Sequence, residues 1–240
     1  EALRKHPQPD DKKKEVRLDS LDPTQRAFGQ VVLDWTASWP KEKDRLPTPL
    51  RTVLLGTAGT GKTSTLKAVK EHRREKRVGK VLVGAFTGVA ASNVGEGAKT
   101  LHDLFKLYHR HANSGEVKPL DRDQLKDFCD MLGGKELAEE EGGGKTEELR
   151  LLVIDEVSMV SRQMLADIDF RLTEWRAYRH HKAKTQAFGG VGVVLAGDFG
   201  QLTPPTIWDK ATLLYAEAVR DCNNAESLNL GLRLFQSFTT

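Results

Sequence analysis

The chain has 240 residues, 38% of them hydrophobic and 30% charged, and 37 Lys and Arg against 34 Asp and Glu leave a net charge of +3. At about 150 residues per domain this is one large domain or one domain with insertions, long enough to build a sizeable core. No run approaches the roughly 20 apolar residues of a membrane helix, which excludes a helical transmembrane protein, and a charge this near balance means that any nucleic-acid binding must be local.

Residues Glu1 to Arg17 are mostly Lys, Asp, Glu, Gln and Pro, too polar to offset the entropy of ordering. The composition predicts a loose tail over 1–17 and a domain over 18–240. At Asp22-Pro23-Thr24-Gln25 a capping acid, a proline at the first helical position and a glutamine at the third predict a helix start with a capping box. Phe28, Val31, Val32, Trp35 and Trp39 recur at helical spacing and predict one buried face, ending before Pro40. Four short apolar runs bounded by glycine or charge predict buried strands: Thr52 to Leu55, Val81 to Phe86, Leu151 to Ile154 and Val191 to Leu195. Helical patterns lie between them. One of these is opened by Ser161 and carries Leu165, Ile168, Leu172 and Trp175. Strands alternating with helices predict an α/β fold, a mainly parallel sheet flanked by helices with right-handed crossovers. The stretches His109 to Asp121 and Gly133 to Lys145 are expected to be surface insertions. Cys129 and Cys222 stand far apart without metal-ligand spacing, which suits a reducing interior, and the charged N-terminus shows no secretory signal. An intracellular setting is expected, nuclear or mitochondrial in a eukaryote.

Directly after the first strand comes Gly56-Thr57-Ala58-Gly59-Thr60-Gly61-Lys62-Thr63, a complete G-x-x-x-x-G-K-[ST] loop, with Ser64 opening the following helix. Such glycines let the backbone curl so that its N–H groups and a helix N-terminus meet one anion. Lys62 is the candidate for the outer phosphates of ATP, and the Thr63 hydroxyl for a magnesium ion. A partner acid is expected at the carboxyl end of a neighbouring strand, because ligands of open parallel sheets sit at that edge. Leu151-Leu152-Val153-Ile154-Asp155-Glu156 supplies it: Asp155 for the metal, Glu156 to take a proton from attacking water. The fourth strand runs into Gly197-Asp198-Phe199-Gly200-Gln201-Leu202, where Gln201 is placed to sense the γ-phosphate.

Taken in order, these motifs make the chain resemble superfamily-one DNA helicases, most closely the petite-integration-frequency family, with the RecD type as its relative. The resemblance spans about Leu18 to Thr240. It is carried by the loop Gly56 to Thr63, by Phe86-Thr87-Gly88-Val89-Ala90-Ala91 with Thr100-Leu101-His102, by Asp155-Glu156, and by Phe188-Gly189-Gly190 leading into Gly197 to Leu202. It implies a RecA-like P-loop domain that hydrolyses ATP with Mg2+ and moves five-prime to three-prime on single-stranded DNA up to duplex junctions. It further implies that Gln25 reads adenine, that Thr87, Gly88, Thr100 and His102 grip the strand, and that Gln201 couples nucleotide to DNA movement. A second RecA-like domain carrying an arginine finger belongs to the pattern. Gly231 to Thr240 resembles the run before it, and a monomeric first motor domain, slow on its own, is expected. Phe86 and Thr203 stand where the family has proline, Asp103 where it has serine, and Asn93 to Thr100 is longer by about two residues.

Arg171, Arg176, Arg179, Lys182 and Lys184 lie among Trp175, Tyr178, His180 and His181, a pattern able to track a strand by charge and stacking. Trp175, however, also falls on the apolar helix face, which favours a solvated basic helix end. His109 and His111 are two apart and point to different faces of a helix, against a metal site. Two other function classes fit the loop: a nucleotide-gated DNA-binding module without motor activity, and a P-loop phosphotransferase. The acid Glu156 disfavours the latter.

Overall fold

A computed structural model of the chain describes residues 17–39, 48–76, 79–94, 99–112, 115–133, 147–179, 186–205, 214, 217–218 and 225–238. The expected tail and the Gly133–Lys145 insertion lie almost wholly outside these residues, as do Cys222, Lys182 and Lys184. Among the described residues the principal elements follow one another as α1 (Pro23–Ala37), β1 (Arg51–Leu55), α2 (Lys62–Lys76), β2 (Lys80–Ala85), α3 (Gly88–Val94), β3 (Lys99–Thr100), α4 (Leu101–Leu104), α5 (Arg122–Leu132), β4 (Leu149–Asp155), α6 (Arg162–Arg179), β5 (Gly192–Gly197) and α7 (Ala225–Gln236). The five strands form one parallel sheet in the order β1-β5-β4-β2-β3.

The strands read as unbroken apolar runs because both faces are covered. Along β5, Val193 and Leu195 enter the core packed by α5, α6 and α7. Val194 and Ala196 enter the core built with Val32 of α1 and Leu66 and Val69 of α2. β4 divides in the same way, Leu152 and Ile154 to the first face and Leu151 and Val153 to the second. On α6 the expected stripe of Leu165, Ile168, Leu172 and Trp175 is fully buried. Ser161 caps this helix, accepting from Met164 N–H at 3.1 Å.

Three expectations are corrected. Val31 is 53% exposed, so the buried side of α1 runs through Gly29, Val32 and Thr36. The segment His109 to Asp121 is no surface insertion: Val117 and Leu120 join the main core. Arg110 pairs across it with Val117 and bonds the buried Asp167 of α6 at 2.7 Å. The basic residues of α6 are turned inward. Arg171 donates to the carbonyls of Phe105 and Lys106, Arg176 to that of Gly189 and to Glu148, and Arg179 to Asp130. They tie the helix to the loops around it.

Candidate functional site

In a parallel sheet all carboxyl ends share one edge. Here that edge gathers the loop after Leu55, Asp198 after Gly197, Asp155-Glu156, Thr87 beyond Ala85, and Thr100. The loop is anchored where Gly56 N–H donates to the carbonyl of Gly197, at 3.2 Å. Thr60 donates its hydroxyl to the Thr57 carbonyl at 2.9 Å, which closes the curl. Gly61 has φ +78, and a Cβ there would stand 2.3 Å from Gln25 Nε2. Thr57, Ala58, Gly59 and Thr60 are exposed; Thr63 and Ser64, in the first turn of α2, are half-buried. The Lys62 ammonium arches over the loop, donating to the carbonyls of Gly56 and, at 2.9 Å, Thr57.

Gln25 does not complete a capping box. Asp22 accepts from the N–H groups of Thr24 and Gln25 and so caps α1, a contribution of about 1 kcal/mol. The Gln25 amide instead reaches forward, Nε2 donating to the Thr60 carbonyl at 2.8 Å. Phe28, Leu55 and Lys62 join it around a cavity of about 490 Å3 between α1, β1 and the loop. Phe28 was legible in the sequence only as core. A larger cavity, about 710 Å3, lies between α1 and α2 and shares no lining residue with the loop.

Burial raises the Asp155 carboxyl above its ordinary value; the Glu156 N–H, donated to Asp155 Oδ1 at 2.9 Å, and the charge of Lys62 oppose this. Glu156 sits in the left-handed region, φ 56 and ψ 45, a conformation uncommon for a residue with a Cβ. Its Oε2 accepts from the Thr87 hydroxyl at 2.9 Å and the Thr87 N–H at 3.2 Å. Gln201 is exposed on a turn held by Asp198, whose carbonyl accepts from Gln201 N–H and whose carboxylate accepts from Gly200 N–H.

The Thr100 hydroxyl caps α4 and donates to Asp103 Oδ2 at 2.7 Å. Tyr108 donates its hydroxyl to the other oxygen of Asp103. These two bonds hold the Asp103 carboxyl below its ordinary value, so the acid stays ionised. His102 is half-buried between the rings of Phe86 and Tyr108, at 5.7 and 5.9 Å. Burial and the nearby charge of Arg110 hold it below the usual histidine range. Gly88 is exposed at the start of α3. Tyr108, 61% exposed, is the residue here that the motifs did not point to. Phe188-Gly189-Gly190 lies before β5, at the opposite edge of the sheet. Arg51 stacks on Phe188 and bonds the carbonyls of Ala187 and Val191, so the motif directs the strand rather than forming the site.

Residues 49–218 match the family model of PIF1-like helicases. The ATP-dependent DNA helicase Pif1 of Psychrobacter is 31% identical over 161 residues, which are 67% of this chain and 21% of that protein. A structure of two Pif1 helicases coordinating in DNA unwinding at forked double-stranded DNA superposes with a TM-score of 0.52 at 28% identity, covering 80% of this chain and 36% of that one. Bacteroides Pif1 bound to single-stranded DNA gives 0.52 at 26% identity, over 78% of this chain and 34% of that one. The chain thus spans about a fifth of the length of its Psychrobacter relative. No described helix is long and apolar enough to cross a membrane.

Proposed function

The chain belongs to the PIF1-like helicase family, and from that premise we propose that residues 18–240 form the nucleotide-binding motor domain of an ATP-dependent DNA helicase. It couples ATP hydrolysis to five-prime to three-prime movement along single-stranded DNA and to unwinding at duplex junctions. The observation that carries this reading is the placement at one carboxyl edge of the sheet of the Lys62 loop and of Asp155 and Glu156, with the charge of Lys62 acting on Asp155.

Each residue then has a task. The loop N–H groups from Gly56 to Ser64 and the first turn of α2 receive the phosphates, and Lys62 exchanges its carbonyl partners for phosphate oxygens. The base enters beside Phe28 and Gln25, whose amide still has an acceptor oxygen to offer an exocyclic amine. Thr63 and Asp155 form a donor set of one hydroxyl and one carboxylate. That is the number Mg2+ takes from protein when phosphates and water complete its shell. When bound, the ion would neutralise developing phosphate charge. Glu156 accepts a proton from water while the water oxygen bonds to the γ-phosphorus and the bond to the bridging oxygen breaks. Gln201, at the end of the strand between β1 and β4, senses the γ-phosphate. Thr87, Gly88, Thr100 and His102 face the strand. A second RecA-like domain supplies the arginine finger, worth about 10³ to 10⁵ in rate. The motor acts as a monomer inside the cell, in the nucleus or mitochondrion of a eukaryote.

Replacing Lys62 tests the phosphate site. Titration calorimetry with a non-hydrolysable ATP analogue and magnesium should show affinity for wild type and a loss of at least tenfold for Lys62→Ala. Undiminished affinity would remove the assignment.

A further inference from the structure

Glu156 is tethered to the segment after β2, the strand that flanks β4 on the side opposite the Lys62 loop. Its two hydrogen bonds run to Thr87, which follows β2. In the order β1-β5-β4-β2-β3, β2 flanks β4 on the side opposite β5, β1 and the Lys62 loop. The tether therefore holds the carboxylate toward the β2 side of β4, across the strand from the Lys62 loop. The left-handed backbone at Glu156 fits this account, since such conformations persist where the surroundings over-determine them.

A threonine hydroxyl has one proton to donate. In Thr87 it goes to Glu156, while the same oxygen accepts from Ala90 N–H at 3.2 Å and so caps α3. A phosphodiester oxygen arriving at Thr87-Gly88 is a second anion asking for that proton, and only one of the two can have it. We propose that Thr87 is a positioning residue: it holds Glu156 off the attacking water until single-stranded DNA takes the threonine's hydroxyl, so that DNA itself releases the base for ATP hydrolysis. This rests on the reading of the domain as a DNA-engaging ATPase. It adds the link by which the strand reports to the nucleotide.

The test is steady-state ATP turnover of the full-length protein, with and without oligothymidine, in wild type and three variants. Thr87→Val removes the hydroxyl. Thr87→Asp keeps an acceptor for Ala90 N–H but sets a carboxylate against Glu156, and Thr87→Ser keeps the hydroxyl. Val and Asp should each raise DNA-free kcat about tenfold, the scale of a hydrogen bond to a charged group. KM for ATP should be unchanged, and Ser should restore dependence on DNA. DNA-free turnover is the deciding readout, because it is blind to any loss of DNA affinity. If Thr87 merely caps α3, Asp will behave as wild type, and the proposal fails. It also fails, alone, if wild type is DNA-stimulated and neither Val nor Asp raises the DNA-free rate. Should Val unfold α3, the Asp and Ser pair still decides. A wild type that hydrolyses no ATP, or does so equally with and without DNA, overturns the helicase reading together with the tether.

Discussion

Two glycines of the phosphate loop share a backbone conformation and differ in what surrounds them. Gly59 has φ +81 with open space where a Cβ would go; Gly61 has φ +78 with the Gln25 amide there. An alanine at either position strains the backbone by about 1 kcal/mol. At Gly61 it must also displace Gln25 and break its bond to Thr60, for about 1 kcal/mol more. Denaturant unfolding should therefore rank Gly61→Ala as the more damaging, at about 2 against about 1 kcal/mol, and equal losses would show that Gln25 is not clamped to the loop. A second residue sets a pH dependence. Burial pushes the Cys129 thiol from 9.0 up to about 11. Between those values the unfolded chain releases the proton while the native state keeps it, so the native state binds more protons and stability falls as pH rises. Unfolding free energies at pH 8 and pH 10 should show wild type losing more than Cys129→Ala; parallel losses would mean that the thiol is solvated.

At the scale of elements, α6 and α7 approach closely at Gly231, where a Cβ would stand 2.1 Å from the carbonyl oxygen of Arg162. That neighbour is backbone and cannot rotate away. Gly231→Ala gains about 1 kcal/mol of helix propensity but must lever α7 off the start of α6. A net loss of about 2 kcal/mol is expected, of the size seen when cores are overpacked. Hydrogen exchange should localise the loss of protection to 225–236, and unchanged protection there would contradict the packing. The sequence made the buried strands and α6 legible because their apolar runs carry the signal of two covered faces. It hid β3, whose two residues, Lys99 and Thr100, are too short to show a period. It also misled at α6: a cation reads as solvent-facing until its partners are known. The carbonyls of Phe105, Lys106 and Gly189 become partners only when distant segments meet. Gln25 is similar, since its local capping pattern and its partner 35 residues away compete for one amide.

For the molecule as a whole, the common placement of the loop Gly56 to Thr63 and of Asp155 and Glu156 at one sheet edge was legible because each follows a buried parallel strand, whereas the Thr87–Glu156 contact spans 69 residues and depends on strand order. The same global arrangement limits how strongly charge can bind DNA. With Arg171, Arg176 and Arg179 spent on internal partners, the exposed cations adjacent in sequence to Thr100 and His102 among the described residues are Lys99 and Lys106. Each phosphate neutralised on a single strand contributes about −0.7 to the slope of log K against log salt. Two contacts give about −1.4, a shallow dependence beside that of proteins with a continuous basic groove. On the proposed reading, affinity then leans on the hydroxyl of Thr87 and on stacking against exposed rings such as Tyr108, contributions that salt screens weakly, since the Thr100 hydroxyl is already donated to Asp103. Fluorescence anisotropy of labelled oligothymidine between 50 and 200 mM salt should return a slope near that value for this chain. A slope beyond about −4 would require a cationic track that the described surface does not present, and would assign the strand to a different face.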